Sequence, residues 1–178
     1  MEIGLADLVR NRTMSAEIAA TLAGAAEERR SFLVFAIPRL AGKSTVLEAM
    51  LARAGGDTPI RTVTGDATET ARLRAGDGRG YLSIPEISEA PVPGYIWGEP
   101  VRRVFRLLAR GYALAAALHA SGVEDAFEIV CAGSGVPDED AGRIQLAVYI
   151  RSIGEWQDPT RRGGEAVHEI RGGTGGKP

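Results

Sequence analysis

The sequence predicts an α/β fold: a mostly parallel central sheet with helices on both faces and an antiparallel hairpin at its C-terminal end. Three observations predict it. The apolar run Phe32-Leu33-Val34-Phe35-Ala36-Ile37 leads through a short loop into the helical pattern Val46-Leu47-Glu48-Ala49-Met50-Leu51. Further strand-like and helix-like segments then alternate along the chain, as parallel strands with crossover helices require. Near the end, Ile144, Leu146, Val148 and Ile150 alternate with polar residues, and Ala166, Val167 and Ile170 answer them across a Gly/Pro/Arg-rich stretch.

The elements follow in order. Leu5, Leu8 and Val9 suggest a short amphipathic helix ending near Asn11-Arg12. Thr13 or Ser15 is placed to cap a second helix, with Glu17 in its first turn and Ile18, Leu22, Ala25 and Ala26 on one apolar face. After the first strand, a helix from Lys43 to Ala54 is stopped by Gly55-Gly56. Ile60 to Thr64 reads as a second strand, and a short helix is expected around Thr70 to Arg74. Tyr81 to Ile84 reads as a third strand ended by Pro85, and Tyr95-Ile96-Trp97 as a fourth. Val101, Val104, Phe105 and Leu108 mark the buried stripe of an arginine-studded helix that Gly111 terminates. Tyr112 to Leu118 has the unbroken apolar character of a strand buried on both faces. Phe127 to Cys131 is expected as another short strand, followed by a polar loop over 133–140. The expected organisation is one domain over 1–170, with N-terminal helices in 1–30, a core in 31–170 and a disordered Gly-rich tail over 171–178.

Composition narrows the function classes. A length of 178 residues, 44% hydrophobic and 25% charged, suits one globular domain with a substantial core. A formal net charge of −2 gives no footprint for nucleic acid. Cys131 is the only cysteine, so no internal disulfide forms; its apolar setting suggests a small buried hydrophobe. No apolar run reaches the ~18 residues of a membrane span, and Met1-Glu2-Ile3-Gly4 lacks a signal-peptide layout. A cytoplasmic protein without direct membrane insertion is expected.

The chemistry-bearing motif is Pro38-Arg39-Leu40-Ala41-Gly42-Lys43-Ser44-Thr45 between the first strand and its helix. Unpaired N–H groups at a helix start carry partial positive charge and attract phosphate. Gly42 lets the backbone approach, Lys43 reaches the outer phosphates, and the Ser44 hydroxyl suits a magnesium ion. The full pattern places another glycine five positions before Gly42, where this chain has Ile37. Arg39 is either an additional phosphate contact or a solvated charge.

Together with this loop, the order of elements resembles the C-terminal motor domain of the type II/type IV secretion ATPases, RecA-like proteins of pilus and archaellum assembly. Leu8 to Ser15 resembles the entry into that family's first motor helix. Pro93-Gly94-Tyr95-Ile96-Trp97-Gly98-Glu99 resembles its Walker B strand, and Gly111 to Ala120 its histidine box, with Leu118-His119 at the end. The segment from Ile144 to Ile170 resembles the last two strands. The resemblance spans almost the whole chain and implies a RecA-like P-loop domain using ATP and Mg2+. It also implies assembly as a homo-oligomer or with partner proteins of a secretion or pilus machine, the family's N-terminal domain lying outside these residues.

Glu99 is then expected to polarise the attacking water or complete the metal's shell with Ser44, and His119 to sense the terminal phosphate. Their structural alternatives are a helix-start carboxylate and a histidine satisfied at a strand end. Glu86 is the one survivor of the family's acidic box, either a partner of the metal's shell or, the commoner case after Pro85, an ordinary loop carboxylate. The arginines at 102, 103, 106 and 110 are expected on a solvated face. Two readings follow: an ATP-binding domain with low or partner-dependent hydrolysis, or a degenerate, non-hydrolysing module acting as an assembly or regulatory partner.

Overall fold

The computed structural model describes residues 3–37, 42–155 and 158–169. Helices α1 (Leu5–Arg10) and α2 (Ala16–Glu27) precede strand β1 (Phe32–Ile37). Ser15, not Thr13, caps α2: its hydroxyl accepts from the Ile18 N–H at 3.1 Å. Helix α3 (Lys43–Leu51) follows β1, then strand β2 (Ile60–Thr62), helix α4 (Ala67–Ala75), strand β3 (Tyr81–Ile87) and the two-residue strand β4 (Tyr95–Ile96). Helix α5 (Glu99–Leu107) runs into a 3-10 turn ending at Gly111, and strand β5 (Ala113–Leu118) is buried throughout. Helices α6 (Val123–Glu128) and α7 (Asp138–Ala141) then lead to strands β6 (Leu146–Glu155) and β7 (Asp158–Glu169).

Among the described residues the sheet has seven strands in the order β2-β3-β5-β1-β6-β7, with β4 on β3. All neighbours are parallel except β6 and β7, the antiparallel pair the alternation predicts. β2 pairs with β3 at residues 81–83 and β4 with β3 at 86–87, so the two short strands share one edge of β3.

Helices cover both faces, and each face has its own core. Phe32, Val34 and Ala36 point toward α1, α2 and α3, packing with Leu22, Met50 and Tyr81. Leu33 and Phe35 point the other way, toward Val104 and Phe105 of α5 and Ala126 of α6. This is the period-two alternation of a sheet buried on both sides.

Three expectations need correction. Phe127 to Cys131 is not a strand: α6 continues into a π-helical turn over Ile129–Gly133. Val123, Ala126, Phe127 and Val130 all pack on the second core, and their spacing is that of a helix face. β3 does not stop before Pro85 but runs through it to Ile87. The hairpin strands extend well into the stretch read as a Gly/Pro/Arg-rich turn, with Ile150 opposite Gly164 and Ile153 opposite Arg161. The expected disordered tail, residues 171–178, lies outside the described residues, as do Ile170 and Pro38, Arg39, Leu40 and Ala41. No helix among the described residues is long and apolar enough to cross a membrane.

Ser31 fastens the start of β1 to both neighbours. Its hydroxyl accepts from the buried Leu114 N–H at 2.9 Å, its N–H donates to Gln145 Oε1 at 3.1 Å, and its carbonyl accepts from Gln145 and Leu146. Ser31→Ala strands the Leu114 N–H in the sheet and is expected to cost about 1–3 kcal/mol. Urea unfolding of the two proteins measures this; equal stabilities would show that the hydroxyl is dispensable.

Candidate functional site

The parallel strands β1, β3 and β5 end on the same edge of the sheet, where open α/β folds leave a crevice for ligands. Three side chains from three elements meet there. Lys43 is the first residue of α3, Glu86 lies near the end of β3, and His119 directly follows β5. Lys43 Nζ stands 3.2 Å from both carboxylate oxygens of Glu86, and 3.0 and 3.1 Å from the two ring nitrogens of His119. His119 Nδ1 lies 2.6 Å from Glu86 Oε1. With the ring proton on Nδ1, Nδ1–H donates to Glu86 and Nε2 is the acceptor for the Lys43 ammonium, so the 3.0 Å approach of Nζ to Nδ1 is a contact without a hydrogen bond. Only 8% of the Lys43 side chain and 6% of that of Glu86 is exposed, against 32% for His119.

Burial raises the stakes of this arrangement. An ammonium out of water needs a counter-charge and acceptors close by, and Glu86 with His119 provides them. Glu86 reaches this position because β3 is irregular. Ile84 pairs with Ala116 and Ile87 with Leu118, so three residues of β3 advance against two of β5. That extra residue, at Pro85-Glu86, is a β-bulge and changes which face each later side chain takes. Ile84 and Ile87 consequently share the α5-side core. In a regular strand Glu86 would join Ile84 on that side; with the bulge it turns to Lys43. Glu86 is therefore no ordinary loop carboxylate, and Pro85 accompanies the distortion that aims it inward.

The start of α3 suits an anion. Gly42 adopts φ 96°, a left-handed conformation that favours glycine, and contributes no side-chain cap to the first turn. Ser44 is exposed in that turn and Thr45 partly so. Pro38, Arg39, Leu40 and Ala41 fall outside the described residues. Ile37, at the position of the absent glycine, ends β1 with its side chain exposed.

Glu99 lies elsewhere. It follows β4, which pairs with β3 rather than with β1. Glu99 opens α5, and its carboxylate meets Arg102 at 2.6 Å, Arg103 at 3.4 Å and Arg106 at 3.6 Å. The hydrogen bond from Arg102, then the charges of the arginines, hold its carboxyl below the ordinary value. Arg102 also donates to the Ser134 carbonyl at 2.7 Å, and Arg103 to that of Gly65 at 3.3 Å. Arg102 and Arg103 are thus engaged in holding α5 to its neighbouring loops, while Arg106 and Arg110 lie on the exposed face as expected.

The second histidine and the cysteine of the chain are less central. His168 pairs with Ala147 in β7, near the strand starts and away from Lys43. Cys131 is half-buried beside the second core; burial and then Asp138 push its thiol's pKa upward, away from the reactive thiolate. Among the described residues no cluster of His, Cys, Asp and Glu forms a metal centre from protein groups alone.

No protein-family model matches the sequence, and no curated protein matches it significantly. Solved structures do match. The VirB11 ATPase of the Brucella suis type IV secretion system, crystallised with sulphate, aligns at TM-score 0.59 and 17% identity over 93% of this chain and 56% of its own. The Legionella pneumophila ATPase DotB aligns at TM-score 0.53 and 16% identity over 81% of this chain and 46% of its own. The chain thus spans about half the length of either protein. The fold is that of a secretion-ATPase-like domain, as the sequence resemblance implies.

Proposed function

We propose that this chain binds a nucleoside triphosphate, ATP with Mg2+, at the carboxyl edge of its parallel sheet. The convergence of Lys43, Glu86 and His119 beside the start of α3 carries the reading. The outer phosphates take the Lys43 ammonium and the first-turn N–H groups of α3, with Gly42 allowing close approach. Pro38, Arg39, Leu40, Ala41 and Thr45 are assigned to the same binding segment by their place in the sequence motif. The VirB11 structure was determined in complex with sulphate, an oxyanion like phosphate.

The residues present fit the metal. Ser44 is exposed in the first turn of α3, where its hydroxyl would hold Mg2+. The metal, when bound, neutralises charge on the phosphate oxygens. Glu86 takes the water-orienting role that the sequence suggested for Glu99, and His119 contacts the terminal phosphate through Nε2 when that nitrogen also carries a proton. Glu99 instead organises the start of α5. Hydrolysis is slow alone and rises when an oligomeric neighbour or a partner protein of a secretion or pilus machine contributes charge. The setting is cytoplasmic.

A second reading is favoured by Ile37, which stands where phosphate loops carry their first glycine. A β-branched residue resists the positive φ that such a turn uses, so the chain would then be a non-hydrolysing assembly or regulatory module.

Calorimetric titration with a non-hydrolysable ATP analogue and magnesium tests binding. Saturable heat is expected for the wild type and a loss of at least ~100-fold in affinity for Lys43→Ala, about 2.7 kcal/mol. Heat that Lys43→Ala leaves unchanged removes the phosphate site; phosphate release at varied protein concentration then separates the two readings.

The role given to Glu99 has its own signature. Its pKa is lower folded than unfolded, so its contribution is present above the ordinary value of 4.5 and is lost as pH falls through the lowered value. The stability difference between wild type and Glu99→Gln is expected to be full near neutrality and to shrink under acid, followed by urea midpoints across pH. A difference constant with pH would contradict the arginine-held carboxylate.

A further inference from the structure

Lys43 is already occupied. We propose that Glu86 and His119 act as an internal counter-ligand, competing with phosphate for the Lys43 ammonium and holding the site in a low-affinity state until a polyphosphate displaces them. This rests on the nucleotide reading above and adds a regulatory consequence to it.

The geometry gives the reason. Both Glu86 oxygens lie 3.2 Å from Nζ, and both His119 nitrogens lie within 3.1 Å of it. Glu86 and His119 are also bonded to each other at 2.6 Å, so they form one preassembled acceptor rather than two independent contacts. Polyphosphate capture requires Lys43 to exchange these partners for oxygens of the ligand. A buried charge-assisted contact is worth more than an exposed one, so the exchange subtracts from the binding free energy. An anion presenting several charged oxygens to Lys43 and the start of α3 offsets that loss. A single orthophosphate offers fewer contacts, so the counter-ligand selects for di- and triphosphates. When Lys43 turns to the ligand, the Glu86–His119 pair remains intact beside it.

Mg-ADP is the appropriate probe, because it lacks the terminal phosphate assigned to His119. The counter-ligand predicts that Glu86→Gln, which keeps the shape of the side chain and removes its charge, tightens Mg-ADP binding roughly tenfold, or ~1.4 kcal/mol. Removing a carboxylate also lowers general repulsion of anions. His119→Ala controls for this, since with the proton arrangement above it removes an acceptor but no charge; it too is expected to tighten Mg-ADP, by roughly threefold (about 0.6 kcal/mol). The gain from Glu86→Gln is expected to disappear in the Lys43→Ala background, as coupled partners require. Should Glu86→Gln fold poorly, His119→Ala and its double variant with Lys43→Ala carry the same comparison. Wild type that binds while both single variants bind equally or more weakly overturns the counter-ligand and leaves the nucleotide reading standing. Absence of binding in the wild type and in every variant removes both.

Discussion

A lysine ammonium buried at the junction of α3 with the strand ends is the constraint on which the site depends. Hydration is largely denied to it, and an uncompensated charge there would cost several kcal/mol. The compensation comes from residues 43 and 76 positions further along the chain, Glu86 and His119. Neither reaches Lys43 unless β1, β5 and β3 lie side by side and parallel, so the electrostatic demand and the sheet order support one another. The register fixes the level as well: Phe35 lies opposite Leu118, which sets His119 level with the last residues of β1.

The bulge in β3 belongs to the same logic. An extra residue weakens pairing locally and leaves backbone groups without ladder partners. Proline, which has no N–H to lose, is well suited to that place. The bulge keeps Ile84 and Ile87 on the α5-side core while turning Glu86 to the α3 side. Core packing and site geometry would otherwise conflict, because strict alternation would send a carboxylate into an apolar layer. β4 then covers the edge of β3 at residues 86–87, beyond the reach of β2.

Much of this was legible from residues alone. The strand–loop–helix at 32–51, the buried strand at 113–118 and the closing antiparallel pair follow from periodicity and Gly/Pro punctuation, and Lys43 and His119 from their motif contexts. What escaped was non-local. Phe127 to Cys131 is a short apolar run, for which helix and strand patterns are hard to separate; the deciding partners, Val123 and Ala126, lie just before it. The importance of Glu86 depends on a register shift against β5, and no local pattern encodes which of two faces a bulged residue takes. Pro85 was the available signal, and it pointed to irregularity without giving its direction.

Glu99 shows how a motif can be satisfied by helix chemistry. Gly98 holds φ 66° and ψ −127°, a conformation reserved in practice for glycine, and Pro100 follows at the start of α5. An acid in the first turn is stabilised by the helix's own N–H groups, and the arginines of the next turns close over it. These demands account for Gly98, Glu99 and Pro100 without any ligand. They also couple distant segments, because Arg102 and Arg103 use the same carboxylate as an anchor while donating to carbonyls at 134 and 65. Of the two carboxylates, Glu86 is the buried one, and its counter-charge comes from the first residue of α3.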